Sequence, residues 1–132
     1  MSRQKLKELA VQASQKAYAP YSQAQVGCAL TGDQDTAIYT GCNIENSSFG
    51  ATVCAERVAI FKAVQAGLKK IHQIYIYTKA GWPPCGLCRQ VMAEFADSKT
   101  KIIVGNEKGE EKEYSFSEIF PLAFGPKDLE NK

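Results

Sequence analysis

Apolar residues recur along this chain with helical spacing in some segments and with the pattern of strands in others, and together these patterns predict an α/β protein. The first is helical: apolar side chains recur every three or four residues among lysines and glutamines, at Leu6, Leu9, Ala10, Ala13 and Ala17. This spacing predicts an amphipathic helix that Pro20 stops, because proline lacks the N–H that a continuing helix needs.

A β-hairpin is predicted after this helix. Residues 25–30 have the pattern of a strand, 31–35 of a turn and 36–43 of a return strand. If the chain stays extended beyond the hairpin, alternation places the side chains of Asn43 and Glu45 on one face. Two polar groups are then expected to converge on one point.

The second half of the chain alternates helices and strands. The predicted elements are a helix over 54–66 capped by Gly67, a strand over 71–78, a helix from 85 to about 96, strands over 101–104 and 111–116, and a short helix over 117–120. The helix over 54–66 has little polar surface and is expected to be largely buried. In the helix that follows, Leu87, Val91 and Phe95 mark the expected apolar stripe.

Composition limits the classes of function. The 132 residues fit one domain, 1–132, with 45% hydrophobic and 23% charged residues, as in an ordinary globular protein. A net charge of +2, spread along the chain, argues against a nucleic-acid partner and favours a small, nearly neutral substrate. Because no apolar run has the length of a signal peptide or a membrane span, we expect no membrane association and a cytoplasmic protein.

Three of the five cysteines have the spacing of a metal site. Cys85 and Cys88 form a Cys-x-x-Cys pair, and Cys54 supplies a third soft ligand from a separate segment. Three protein ligands leave one coordination position open, which is typical of a catalytic zinc rather than a structural one. The remaining two, Cys28 and Cys42, are interpreted as small buried hydrophobic residues.

Two charged residues beside Cys54 complete the predicted chemistry. Glu56 lies in an apolar helix, where a carboxylate is costly unless it is paired, protonated or near a metal, so we predict that it is a general acid/base. Zinc held by three thiolates carries a net charge of about −1, which weakens its effect on bound water. Arg57 is predicted to offset that charge by donating hydrogen bonds to ligand sulfurs.

Other interpretations of these residues remain open. The Cys85 and Cys88 pair alone also fits a redox dithiol at a helix start. His72 could instead close the zinc site as a fourth ligand, which would give a non-catalytic protein with a structural zinc. Glu56 could also be a glutamate on a helix surface, and Arg57 could form a surface salt bridge.

With these motifs in place, the sequence resembles the zinc-dependent cytidine deaminases of the short-chain homotetrameric kind. Six segments carry the resemblance, and they are distributed over nearly the whole chain: 18–22 (YAPYS), 26–27 (VG), 41–46 (GCNIEN), 54–57 (CAER), 84–90 (PCGLCRQ) and 123–125 (AFG). The resemblance implies a three-layer α/β/α sandwich around a five-stranded mixed sheet. It also implies hydrolytic deamination of cytidine and 2'-deoxycytidine in pyrimidine salvage.

The resemblance further implies roles for individual residues. One Zn²⁺ per subunit is held by three cysteines, namely Cys54, Cys85 and Cys88. Glu56 moves protons while water attacks C4 of the pyrimidine and ammonia leaves. Asn43 and Glu45 hold the ribose hydroxyls, the backbone amide of Ala55 contacts the base carbonyl, and Phe124 reaches the active site of a neighbouring subunit in the homotetramer.

One position departs from the family pattern. Ala24 stands where the family commonly has an aromatic residue that packs on the pyrimidine. Phe49, Trp82 or Phe124 is a candidate to fill that space, although Phe49 and Trp82 also suit core or loop packing. The alternative substrate is a modified aminopyrimidine nucleoside of the blasticidin type.

Overall fold

A computed structural model of the chain describes residues 2–33 and 37–130. Its elements are α1 (Arg3–Ser14), β1 (Val26–Gly32), β2 (Ile38–Cys42), a 3₁₀ turn (Phe49–Ala51), α2 (Ala55–Gln65), β3 (Ile71–Thr78), α3 (Gly86–Phe95), β4 (Lys101–Gly105), β5 (Glu111–Ser115), α4 (Phe116–Ile119) and α5 (Pro126–Glu130). Three residues of the predicted hairpin, Gln34, Asp35 and Thr36, lie outside the described residues. The predicted hairpin strands and the strand over 71–78 are confirmed.

The five strands form one mixed sheet in the order β2-β1-β3-β4-β5. Strands β3 and β4 are parallel, and the other neighbours are antiparallel. Leu6 and Ala10 of α1 pack with Ala29 and Tyr75 on one face of the sheet. On the opposite face, α2 and α3 pack against a larger apolar cluster from alternate strand positions. The predicted three-layer α/β/α sandwich around a five-stranded mixed sheet is therefore confirmed.

The first helix ends earlier than its apolar pattern predicts. It begins at Ser2, whose hydroxyl accepts a hydrogen bond from the N–H of Lys5, and its last residue is Ser14. The chain then turns so that the N–H of Tyr18 donates to the carbonyl of Asn43 at 3.0 Å. The helix therefore ends six residues before Pro20.

The buried faces of α2 and α3 differ from the predicted ones. Small residues of α2 face the sheet, while Phe61 is 51% exposed. In α3 the buried residues are Cys88, Met92 and Ala93. Of the predicted apolar stripe, Val91 and Phe95 pack against the core, whereas Leu87 is 65% exposed. The residues that each helix buries against the sheet are thus mostly smaller than the apolar side chains that it exposes. No helix in the described part of the chain is long and apolar enough to cross a bilayer.

Candidate metal centre and active site

Two helix starts bring three thiols together on one face of the sheet. Cys54 immediately precedes α2 as its N-cap, and Cys85 precedes α3 in the same way. The Sγ atoms of Cys54 and Cys85 are 3.7 Å apart, those of Cys85 and Cys88 are 3.5 Å apart, and all three lie within 4.8 Å of one another. All five cysteines are free thiols.

The local sequence explains why these cysteines meet. Val53, just before Cys54, pairs with Ile44 in an isolated antiparallel bridge, which fixes the entry to α2. The loop from β3 to α3 is held by Thr78, whose Oγ1 accepts hydrogen bonds from the N–H groups of Gly81 and Trp82, both at 2.7 Å. Helix starts favour negative charge, because their backbone N–H groups are unpaired within the helix.

The donor set fits zinc. Three thiolates from two helix starts match the soft ligands that zinc prefers, and their spacing suits one tetrahedral ion. His72 is exposed on β3 and does not belong to the cluster, so among the described residues no histidine closes the site. One coordination position is left for water or substrate.

The electrostatics of the cluster also suit a cation. A hydrogen bond from Cys88, followed by those from Arg57 and Cys85, lowers the pKa of Cys54 to about 5 even though burial acts against it. The bond to Cys54 and burial raise the pKa of Cys88. The pKa values of Cys54 and Cys88 are therefore shifted in opposite directions, and a bound metal would displace the protons that the three thiols still carry.

Glu56 is the buried carboxyl group beside this cluster. It is 4% exposed, and its Oε1 has no hydrogen-bond partner among the described residues. Burial is the main cause that raises its pKa to about 7, and the negative charge of Cys54 adds to the effect. A carboxyl group with a pKa near neutrality exchanges protons readily, which is what a general acid/base needs.

Arg57 connects the cluster to the preceding loop. Its Nη2 lies 3.7 Å from the Sγ of Cys54 and donates to the carbonyl oxygen of Thr52 at 3.2 Å. Its buried Nε has no hydrogen-bond partner in the described part of the chain. The guanidinium therefore places positive charge next to a metal-binding sulfur.

Asn43 and Glu45 both point to the segment that joins α1 to β1. The side chain of Asn43 accepts from the N–H of Val26 at 2.9 Å and donates to the carbonyl of Ala24 at 2.8 Å. The carboxylate of Glu45 accepts from the backbone N–H groups of Tyr21 and Ser22 and from the Ser22 hydroxyl. These bonds lower the pKa of Glu45, so it is held as an anion.

The remaining predicted residues lie around the same end of the sheet. Ala55 is the first residue of α2, and Phe124 lies on the C-terminal segment with 57% of its surface exposed. Phe49 and Trp82 are 73% and 52% exposed, so neither is a core residue. Phe49 contacts the ring of Tyr21, with centroids 5.8 Å apart.

Ala24 and Trp82 line one groove of about 1040 Å³. The groove runs beside the loop that leads from β3 to Cys85. Of the aromatic residues proposed to compensate for Ala24, Trp82 is therefore the one that shares a surface with it.

Sequence reasoning assigned no role to two residues of the second cysteine motif. Arg89 donates to the carbonyls of Pro84 and Ile119, at 2.9 and 2.6 Å, and Gln90 donates to the carbonyl of Phe124 at 2.9 Å. The sequence feature that could have pointed to Arg89 and Gln90 is their position directly after Cys88. Two of the three partners, Ile119 and Phe124, are 30 and 34 residues away, and such pairings could not be predicted from the sequence.

Comparisons with known proteins agree with this geometry. Residues 1–105 match the family model described as the cytidine and deoxycytidylate deaminase zinc-binding region. A cytidine deaminase of Halalkalibacterium halodurans is 47% identical over 131 residues, which is 98% of each chain. A cytidine deaminase of Sporosarcina psychrophila is 43% identical over 119 residues, covering 89% of this chain and 87% of that protein.

Solved structures give the same result for the fold. The crystal structure of cytidine deaminase from Burkholderia pseudomallei superposes with a TM-score of 0.89 at 38% identity, covering 94% of this chain and all of that one. The crystal structure of cytidine deaminase from Mycobacterium tuberculosis superposes with a TM-score of 0.82 at 33% identity, covering 95% and 98% of the two chains.

Proposed function

This chain belongs to the cytidine and deoxycytidylate deaminase family, and from that premise we propose that it hydrolyses cytidine and 2'-deoxycytidine to uridine and 2'-deoxyuridine with release of ammonia. The observation that carries the proposal is the buried, unpartnered Oε1 of Glu56 beside the cluster of three cysteine sulfurs. A buried carboxyl oxygen without a hydrogen-bond partner lowers the stability of the fold. Its presence is explained if the carboxyl group donates and accepts protons at a reaction centre.

The reaction replaces a C–N bond by a C–O bond. Cys54, Cys85 and Cys88 would hold one zinc ion, which when bound acidifies water and polarises the substrate. Glu56 takes the two protons of the attacking water in turn and passes one to N3 of the pyrimidine and one to the leaving amino group, so that ammonia departs as the C4 carbonyl forms. In the metal-free protein, burial already raises the pKa of Glu56 to about 7, so the carboxyl group can be both protonated and ionised near neutral pH.

Four further residues are proposed to hold the nucleoside. Asn43 and Glu45 would meet the ribose hydroxyls with the hydrogen-bonding capacity that their bonds to the 21–26 segment leave free. The N–H of Ala55, unpaired within α2, would donate to the base carbonyl. Phe124, on an exposed segment, would complete the site of a neighbouring subunit.

The wider setting is proposed on the same basis. Residues 1–132 would form a single catalytic domain, since one continuous sheet runs through the described residues. Exposed apolar side chains such as Phe61, Leu87 and Leu122 favour assembly into a homotetramer.

The free thiols favour a reducing, cytoplasmic location, and the reaction suits pyrimidine salvage.

The groove beside Ala24 favours a second candidate substrate. Ala24 and Trp82 both line this groove of about 1040 Å³, and the metal-binding cysteines do not. This space would admit an aminopyrimidine nucleoside that carries a larger substituent, as in compounds of the blasticidin type.

A substrate panel tests the proposal. The purified, zinc-loaded protein is incubated with cytidine, 2'-deoxycytidine, blasticidin S and adenosine, while ammonia release and the ultraviolet change are followed. Turnover of the two cytidines supports the main proposal, and turnover of blasticidin S alone supports the second. No turnover of any pyrimidine nucleoside by protein that contains zinc would exclude both.

A further inference from the structure

The two residues after the last metal-binding cysteine reach the C-terminal segment. Gln90 Nε2 donates to the carbonyl oxygen of Phe124 at 2.9 Å. Arg89 Nη1 donates to the carbonyl oxygen of Ile119, the last residue of α4, at 2.6 Å. Side chains on the first turns of α3 therefore hold both ends of the segment 119–124.

Arg89 also holds the metal-binding loop itself. Its Nε donates to the carbonyl oxygen of Pro84 at 2.9 Å, directly before Cys85. The guanidinium is half-buried, and its planar fork presents the two donors in a fixed geometry. One side chain thus bridges the loop that presents Cys85 and the end of α4.

The segment between these bonds depends on such support. It belongs to no strand of the sheet, and Leu122 has a positive φ of 56° and is fully exposed. Beyond Phe124, the N–H of Gly125 donates to the carboxylate of Asp128, which fixes the start of α5. Phe124, itself 57% exposed, is therefore presented by hydrogen bonds to its backbone rather than by burial of its ring.

We propose that Arg89 and Gln90 are positioning residues that couple the metal-binding segment 84–88 to the C-terminal segment 119–125, and so fix where the ring of Phe124 is presented. The consequence for substrate binding rests on the proposed function, in which Phe124 contacts the nucleoside. The coupling between the two segments does not depend on the proposed function. Removal of the metal should loosen the C-terminal segment, and loosening that segment should weaken substrate binding without altering the chemical step.

The first test does not depend on activity. Amide hydrogen exchange over 119–125 is measured by mass spectrometry in the wild-type protein with zinc, after chelation, and in Gln90→Glu and Arg89→Lys. Gln90→Glu keeps the size of the side chain but removes the donor, and lysine cannot make both bonds of Arg89. Exchange is expected to rise about fivefold in both variants, as for the loss of one hydrogen bond, and also after chelation of the wild type.

A matched substitution on α1, Gln12→Glu, serves as the control, because Gln12 is exposed and α1 packs on the opposite face of the sheet from α3. Exchange over 119–125 should stay at the wild-type rate in that variant. If exchange in Gln90→Glu equals that of the control, the coupling is absent and the proposal is overturned, whatever reaction the protein catalyses.

The second test separates positioning from general structure. If the protein deaminates cytidine, Gln90→Glu should raise KM about fivefold with kcat and zinc content unchanged, as for the loss of one hydrogen bond. Phe124→Ala should raise KM similarly, and the double variant should be no worse than the poorer single variant. A drop in kcat with unchanged KM, or fully additive effects, would show that Gln90 does not act through Phe124.

Discussion

The backbone of Gly41 in β2 lies directly against that of Ala55 at the start of α2. A Cβ atom at position 41 would lie 2.4 Å from the carbonyl oxygen of Ala55 and 2.6 Å from the nitrogen of Ala59. Both neighbours are backbone atoms of a helix, which cannot rotate away as a side chain can. Cys54 immediately precedes Ala55. The absence of a side chain at Gly41 therefore allows the start of α2, which carries the first metal ligand, to lie this close to the sheet.

Gly41→Ala should therefore damage both stability and the metal centre. Moving α2 away from the sheet is expected to lower the free energy of unfolding by about 1–3 kcal/mol and to weaken zinc binding. Urea denaturation and competition with a chelator measure the two effects. Gly50→Ala is the matched control, because nothing lies within 4 Å of a Cβ there. Equal unfolding midpoints for the two variants would contradict this account of the packing.

Glu56→Gln should abolish most of the catalytic activity while leaving zinc and fold in place. An amide cannot accept and return the proton, so kcat is expected to fall by about 10²–10⁴, the usual contribution of a general acid/base. Steady-state kinetics with cytidine and a zinc assay check this prediction. Glu94→Gln, at an exposed position of α3, should be neutral. Normal turnover by the Glu56 variant would show that another group moves the proton.

The chemistry of the site was more predictable than its packing. The spacing of Cys54, Cys85 and Cys88, together with Glu56 two residues from Cys54, indicated a zinc centre because metal ligands and their acid/base partners follow local rules of spacing. Strand β3 was predicted with its observed bounds, since its isoleucine and tyrosine content is typical of a buried strand.

Long-range contacts account for most of what the sequence could not indicate. The apolar stripe of α3 predicted burial of Leu87, but the helix buries Cys88 and Met92 instead. The bond from Gln90 to the Phe124 carbonyl joins residues 34 positions apart. No periodicity encodes such a pairing, because it depends on how the C-terminal segment returns to α3.

Cys85→Ala should remove the metal and the stability that the metal provides. Two remaining thiols hold zinc much more weakly than three, and metal binding is coupled to folding. Cys85 is exposed, so the lost side chain itself costs little packing. Metal analysis and thermal denaturation should show a zinc-free variant whose Tm equals that of the chelated wild-type protein.

Cys42 provides the comparison for that experiment. It is a half-buried free thiol outside the metal cluster, so Cys42→Ala should keep a full complement of zinc. If Cys85→Ala also keeps one zinc per chain, the assignment of the ligands is wrong.

Arg57→Ala should weaken the metal centre without emptying it. The guanidinium places positive charge 3.7 Å from the Cys54 sulfur, and loss of such a supporting contact typically costs about 10–100-fold in metal affinity or activity. Arg57→Lys should fall between the wild type and Arg57→Ala, because lysine keeps the charge but not the paired donors. Arg3→Ala, which removes an exposed ion pair to Glu113, is the charge-matched control. Chelator competition at fixed pH measures the affinities, and equal values for the Arg57 and Arg3 alanine variants would exclude the role.

The stability of the metal-free protein should depend on pH through Glu56. Its pKa is about 7 in the folded chain against a usual 4.5, because burial disfavours the ionised form. A carboxyl group with a raised folded-state pKa contributes stability below its unfolded-state pKa, and that contribution is lost as pH rises through the folded-state value. The contribution of Glu56 to the free energy of unfolding is therefore lost between pH 4.5 and about pH 7.

Glu56→Gln removes this titration and so isolates its effect. Relative to the wild type, the metal-free variant should gain free energy of unfolding as pH rises from about 4 to about 8, by about 3 kcal/mol in total for a shift of about 2.5 pKa units. Urea denaturation of both chelated proteins across this range gives the difference, which includes the interaction of Glu56 with Cys54. A difference that stays constant with pH would mean that Glu56 titrates near its usual value, and its burial would then need a compensating partner.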